Sequence, residues 1–275
     1  VVAVSIGGIA AGSALGSRLA ARSPQPALGL AVCLLSSVGL ASAAAAGVDR
    51  ALLVMVELVA AEGASFNGLL IRQALLVAVL LAPASVAFGA AFPFGIAVGA
   101  KTDEKVVSDL GLIYAVNTTG AIAGALLAGF VLIPSLGLHD TIRVATVVVA
   151  LGTLALLLVA RVTGHSRVVG VAACALVLSM GFALPSWSQP LLASGVYKYS
   201  PDLGRSDLET WLAAGRLLYY REGSTATVSV REALGNRSLS IDGKVDASNG
   251  ADMLTQRLLA HLPLLLQVLR LRNPP

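Results

Sequence analysis

The side chains in this sequence that could take part in chemistry are few and scattered. The three histidines, His139, His165 and His261, lack the spacing of metal ligands, so no metal site is expected. Cys33 and Cys174 both lie inside apolar runs, where a thiol behaves as a small hydrophobe, so they predict neither a disulfide framework nor a redox compartment. Asn117, beside Thr118 and Thr119, is the strongly polar candidate for burial. An amide at such a position serves interhelical hydrogen bonding or contacts a substrate, and the first role is the commoner. Near the carboxy-terminal end, Asp242-Gly243 has the composition of a tight turn, with the aspartate as turn former.

The elements that must hold these residues follow from composition. Of 275 residues, 56% are hydrophobic and only 12% charged, with a mean hydropathy of +0.84. A soluble domain carries about 25% charged residues, so a multi-pass protein of the cell membrane is expected, with the lipid bilayer as its first partner. The formal net charge of +4 is read as loop charge that sets orientation, and no nucleic-acid partner is expected. The first 184 residues hold 9 Lys+Arg and 7 Asp+Glu, whereas the last 91 hold 10 and 8. Two compositional regions result.

Six apolar runs can be bounded in the first region: Val1 to Leu15, Ala27 to Ala46, Ala74 to Gly99, Leu110 to Ile133, Val144 to Ala160 and Val168 to Leu184. Continuous runs without period-2 alternation select helices, because lipid leaves backbone polar groups no other solvent. The first is shorter than the roughly 20 residues that cross a bilayer, which predicts a chain whose true start lies upstream. Asp49 to Arg72, with Glu57 and Glu62, reads as an amphipathic interfacial helix. Gly8, Gly12 and Gly16, and again Gly120 and Gly124, clear one helix face and predict close helix packing, as does Asn117. Pro93 predicts a kink or a break. If Arg18 and Arg22 are cytoplasmic, Lys101, Lys105, Arg161 and Arg167 share their side, against Arg50, Arg72 and Arg143 opposite.

From Pro185 the composition turns to Pro, Ser, Gly and aromatics, a linker over 185–217 in which Trp187 sits at headgroup level. An amphipathic helical piece is expected around Leu208 to Leu218. Thr225 to Val230 alternates, with Ala226, Val228 and Val230 on one side, and Leu239 and Ile241 continue the pattern after Gly235 and Asn236, so a hairpin is predicted. A helix from about Ala251 follows, with Ser248 and Asn249 as candidate caps. A lone hairpin is marginal in water, so this unit must pack against something else.

The segment from Tyr219 to Leu266, YYREGSTATVSVREALGNRSLSIDGKVDASNGADMLTQRLLAHLPLLL, resembles the amino-terminal β-domain of the spermidine synthase (polyamine aminopropyltransferase) family. FGAAFPFGIAVG and LIYAVNTTGAIAGALLAGFVLIPSLGL resemble the multi-span module of membrane-fused spermidine synthase-like proteins. The fold implied is an all-α membrane bundle of about six spans over 1–184, the linker, and a small β-hairpin/α unit over 218–275 like that β-domain. The resemblance implies aminopropyl transfer from decarboxylated S-adenosylmethionine, as co-substrate, to a diamine. Leu239, Ile241, Asp242 and Gly243 match the family's turn, His261 and Pro263 match its histidine and proline, and Asp252 matches an acidic position. With Gln256, these give the candidate substrate-binding residues Asp242, Gly243, Asp252, Gln256 and His261, although His261 is more naturally a packing or hydrogen-bonding helix residue.

Departures from the family pattern accompany these matches. Asp246, Ala226, Thr255 and Gln256 stand where the family carries Gln, Gln, Tyr and His. No G-x-G-x-x-G motif, the usual cradle for a nucleotide's phosphates, occurs in the sequence. The chain is therefore expected to be a truncated member, inactive alone, with no catalytic residue and no cofactor of its own, whose partners are a missing Rossmann-like domain and a homo-oligomer. A second reading is a transport or binding module for a polyamine or other small cation, and a third a membrane scaffold without chemistry. Transport of a cation would call for acids within the spans, and the apolar runs contain none apart from the edges.

Overall fold

The computed structural model describes residues 1–60, 66–99, 106–195, 210, 212, 215–250 and 252–272. They form two compact units, one of residues 1–54 and 61–187, the other of 55–60 and 188–275.

The helical elements begin with α1 (Val2–Ala20), α2 (Pro26–Ala46), α3 (Val48–Ala60), α4 (Phe66–Gly99) and α5 (Val106–Leu127). A π-helical turn over Ala128–Leu132 leads into α6 (Ile133–Val159), and α7 (Gly164–Phe182) follows. Among the described residues five helical stretches are long and apolar enough to cross a membrane: Val2–Ala20, Pro26–Ala46, Asn67–Gly99, Val107–Val159 and Gly164–Phe182. The fourth, 53 residues long, contains two of the six apolar runs, which is why six runs give five stretches. Gly137, at φ 83°, interrupts it. That conformation suits glycine, which has no Cβ to clash.

Pro93 produces no break. Helix α4 runs through both Pro83 and Pro93 to Gly99. The segment expected to be one interfacial helix is divided: Asp49 and Glu57 lie on α3, Arg72 lies on α4, and Glu62, like Lys101 and Lys105, falls outside the described residues.

Small residues set the packing of the first unit. A Cβ on Gly8, Gly12 or Gly16 would stand 2.6, 2.0 or 2.7 Å from Ser85, Val86 or Ala90 of α4, and one on Gly89 would stand 2.2 Å from the Ile9 carbonyl oxygen. The backbones of α1 and α4 therefore touch directly. Beside Gly120 and Gly124 there is open space instead. Leu35, Cys174 and Val177 form a buried cluster between α2 and α7. The buried Thr146 and Thr153 hydroxyls donate to the carbonyls of Ile142 and Val149, four residues back at 2.8 Å, which satisfies them without leaving the helix.

The second unit holds α8 (Gln189–Leu192), the strands β1 (Gly215–Glu222), β2 (Thr227–Ala233), β3 (Asn236–Ile241) and β4 (Lys244–Ser248), and α9 (Met253–Arg272). The strands form an antiparallel meander in chain order. The expected hairpin is β2–β3, with Val228 opposite Ile241 and Val230 opposite Leu239. Its two-residue turn is Leu234-Gly235, both at positive φ (51° and 79°), the geometry whose twist matches that of paired strands. The helix expected over Leu208 to Leu218 is contradicted at its end, where Gly215–Leu218 opens β1; most of 208–214 lies outside the described residues.

Candidate functional site

The turn Asp242-Gly243 joins β3 to β4, with φ 50° and 78°. The aspartate is exposed but tied to the sheet through one carboxylate oxygen and its amide. Its carboxylate Oδ1 accepts from the Thr227 amide at 2.8 Å, and its own amide donates to the Thr227 carbonyl at 2.8 Å. Asp242 thus closes the end of the β2–β3 ladder, as a turn former does. Gly243 has a second requirement beyond its φ, because a Cβ there would lie 2.6 Å from the Gly195 nitrogen.

Asp252 and Gln256 come together one turn apart at the start of α9. The Asp252 carboxylate accepts from the Ser248 amide at 2.7 Å, from the Ser248 hydroxyl, and from Gln256 Nε2 at 2.5 Å. Gln256 Nε2 also donates to the Ser248 carbonyl at 3.1 Å. These bonds, the Ser248 hydroxyl first, hold the Asp252 carboxyl below the usual carboxylate range. Ser248 and Asn249 do not act as the simple caps expected for this helix, which starts at Met253. Ser248 donates to Asp252, and Asn249 Oδ1 accepts from the Arg237 amide at 2.6 Å. The strand end has claimed the cap residues, and Asp252 holds the helix start. His261 is exposed on α9.

The five candidate residues therefore form two structural knots and one solvent-facing histidine. Both carboxylates accept hydrogen bonds from internal partners. Among the described residues no group of three or more His, Cys, Asp or Glu side chains could hold a metal ion.

Two groupings escaped the sequence reading. Within the sheet unit, Arg231 is buried and donates from Nη2 to the Leu212 carbonyl at 2.9 Å, and burial lowers its pKa. On the neighbouring strand Tyr220 donates to Glu222 Oε1 at 3.0 Å; burial and the adjacent carboxylate push the phenol far above its ordinary value. In the first unit the residues just after Gly137 gather a polar clamp. His139 Nδ1 lies 3.1 Å from Asp140 Oδ1 and Nε2 lies 3.0 Å from the Pro185 carbonyl. Arg143 donates to Asp140 at 2.9 Å and to the Leu184 carbonyl at 3.2 Å, beyond the end of α7. Trp187 stacks edge-on against His139 at 5.4 Å and donates from Nε1 to the Ala45 carbonyl at 2.8 Å. The local signal was the string GLHDTIR, a glycine break followed by a cation, i+3 from an acid. The arrangement ties off the carbonyls at helix ends.

Comparison of the chain with protein-family models, with curated proteins and with solved structures finds no match.

The feature of the second unit with the least internal use is its apolar surface. The alternation places Val228, Val230, Leu239 and Ile241 on one face of the sheet, and Leu239 and Ile241 are 37% and 40% exposed. The opposite face is the buried one, and it is polar: Ser229, Arg231 and Ser240. On α9, Leu254, Leu258, Leu262 and Leu265 follow helical spacing along one side, and each is at least half exposed.

Proposed function

We propose that this chain is a membrane-embedded helical bundle carrying the sheet-bearing half of a spermidine synthase-like aminopropyltransferase, the half that docks a nucleoside-binding domain. The single observation that supports it is the open apolar face of the sheet together with the unpaired leucine side of α9. Antiparallel sheets turn one face to a core, and among the described residues Leu239 and Ile241 of the apolar face stay exposed. An exposed leucine side such as that of α9 calls for burial against another layer. The matches of Leu239 to Gly243, Asp252, His261 and Pro263 to the family pattern indicate the chemistry of the partner, a Rossmann-like domain for decarboxylated S-adenosylmethionine. In this reading Asp242 and Asp252 shape the docking surface and the nucleoside is held by the partner. Transport of a cation has less support, since a cavity of about 670 Å³ among the membrane-type helices has no charged lining residue.

The test is aminopropyl transfer from decarboxylated S-adenosylmethionine to putrescine, read by mass spectrometry, in membranes containing the chain with and without a Rossmann-like aminopropyltransferase domain supplied in trans. Product is expected only with that domain, and is lost with Leu258→Asp. Product from the chain alone, or a rate that the chain does not alter, contradicts the proposal.

A further inference from the structure

A cavity of about 670 Å³ opens between α1, α2, α4 and α5 of the first unit, within the size range of small-molecule sites. Its walls are mainly carbon, with Leu34, Phe88, Phe92 and Leu112 among them, and none of its lining residues is charged. Three polar side chains also line it: Ser13, Tyr114 and Asn117. Asn117 stands about 16 Å along α5 from Val106, taking 1.5 Å per residue, which is deep within an apolar stretch. Neither the Asn117 carboxamide nor the Tyr114 hydroxyl has a hydrogen-bond partner among the described residues. In hydrocarbon such groups are costly until something pairs with them. An occupant must therefore be mostly aliphatic, uncharged, and equipped with a hydrogen-bonding group. The rim includes Phe88, 58% exposed, and Tyr114, 56% exposed, so the cavity is continuous with the outer surface of the helices that a bilayer would cover.

We propose that this cavity holds a neutral membrane lipid, its aliphatic chain against Phe88, Phe92 and Leu34 and a hydroxyl or carbonyl hydrogen-bonded to the Asn117 carboxamide. This rests only on the bundle's lying in a bilayer and is independent of aminopropyl transfer. Charge complementarity selects the class: with no countercharge in the lining, an ionised headgroup gains nothing by entering.

The purified chain is reconstituted in phosphatidylcholine vesicles with a diazirine-bearing diacylglycerol, or with the matching diazirine-bearing phosphatidic acid, and the crosslinked peptides are mapped after irradiation. The diacylglycerol probe is expected to label 88–95 and 112–117 above all other apolar segments, and the phosphatidic acid probe to label them weakly. Asn117→Leu, which removes one hydrogen bond, lowers the focused labelling about five- to tenfold. Gly95→Leu lowers it at least as far, because its side chain enters open space in the cavity. Gly152→Leu, which also enters open space but on α6 outside the cavity, leaves labelling unchanged and shows that an added leucine is tolerated. If Gly95→Leu fails to reconstitute, Asn117→Leu decides. Labelling spread evenly over the apolar helices, labelling indifferent to both cavity variants, or equal labelling by phosphatidic acid overturns the proposal. Alkaline carbonate extraction separates the two levels: a chain that washes out sinks the membrane reading and the lipid site together, whereas a retained chain without focused labelling sinks the lipid site alone.

Discussion

Replacing Gly12 by alanine adds one methyl group where α1 and α4 have no room for it. The new Cβ would stand 2.0 Å from the Val86 carbonyl oxygen, 2.8 Å from its carbon and 2.9 Å from Cα, all backbone atoms that no rotamer change can move. Ordinary contact starts near 3.4 Å, so the helices must part locally by 3.4 − 2.0 = 1.4 Å. That shift also pulls Gly8 from Ser85, Gly16 from Ala90 and Gly89 from Ile9, and a radial gap of about 0.5–1 Å already forfeits a quarter to a half of each dispersion contact. Overpacking of this kind costs about 1–3 kcal/mol, and the rigidity of the obstacle puts Gly12→Ala at the upper end. At about 3 kcal/mol the folded-to-unfolded ratio falls by more than about a hundredfold. The assay is equilibrium unfolding in mixed micelles with rising dodecyl sulfate, followed by far-ultraviolet circular dichroism. Gly120→Ala is the internal comparison, because its Cβ meets nothing within 4 Å and removal of a helical glycine gains up to about 1 kcal/mol. If Gly12→Ala unfolds within about 0.5 kcal/mol of the unsubstituted chain, the close approach of α1 and α4 is refuted.

Further outcomes follow from the second unit. Leu234 is 93% exposed and at φ 51°, a conformation asparagine adopts more readily, so Leu234→Asn should raise stability by about 1 kcal/mol in urea unfolding; a loss would refute the turn. Asp242→Ala removes the acceptor of the Thr227 amide and a residue suited to the left-handed region, and should lower stability by about 1–2 kcal/mol; exchange protection of the Thr227 amide reads the same bond directly. The carboxyl of Asp252 is depressed in the fold, so the stability it contributes is complete above the free aspartate value of about 3.9 and disappears as pH falls through the lower folded value. The start of α9 should therefore loosen below about pH 4 and hold at neutral pH, seen in the Ser248 amide resonance, and Asp252→Asn should abolish that transition. An unchanged transition in the variant would assign it to another group.

What could be read from the residues depended on whether the signal was local. The apolar runs, the alternation of Val228 and Val230, and the Asp242-Gly243 turn are set by neighbours in sequence, and the structure forms them. The start of strand β1 is not legible locally because GRLLYYRE lacks clean alternation; its pairing, with an irregularity between Leu217 and Tyr219, comes from β2. The direction of burial was also illegible, since Ser229 and Ser240 became the enclosed face while Leu239 and Ile241 on the apolar side stay exposed. Composition alone assigns the core to the apolar side, and only tertiary contacts reverse that. Pro93 stayed within α4 because a transmembrane-type helix re-satisfies a freed carbonyl locally, while the interruption fell at Gly137, where φ is positive. The candidate site was readable as residue types, yet the engagement of Asp252 with Ser248 and Gln256 depends on how β4 ends.

The most direct test of the central claim is the dissociation constant between the detergent-solubilised chain and a Rossmann-like aminopropyltransferase domain, measured by titration calorimetry for the unsubstituted protein and for Leu258→Asp. A leucine buried on docking contributes about 1.5–3 kcal/mol, so the account predicts saturable binding that weakens at least tenfold in the variant. Absence of saturable binding, or equal affinity for the two chains, would contradict it.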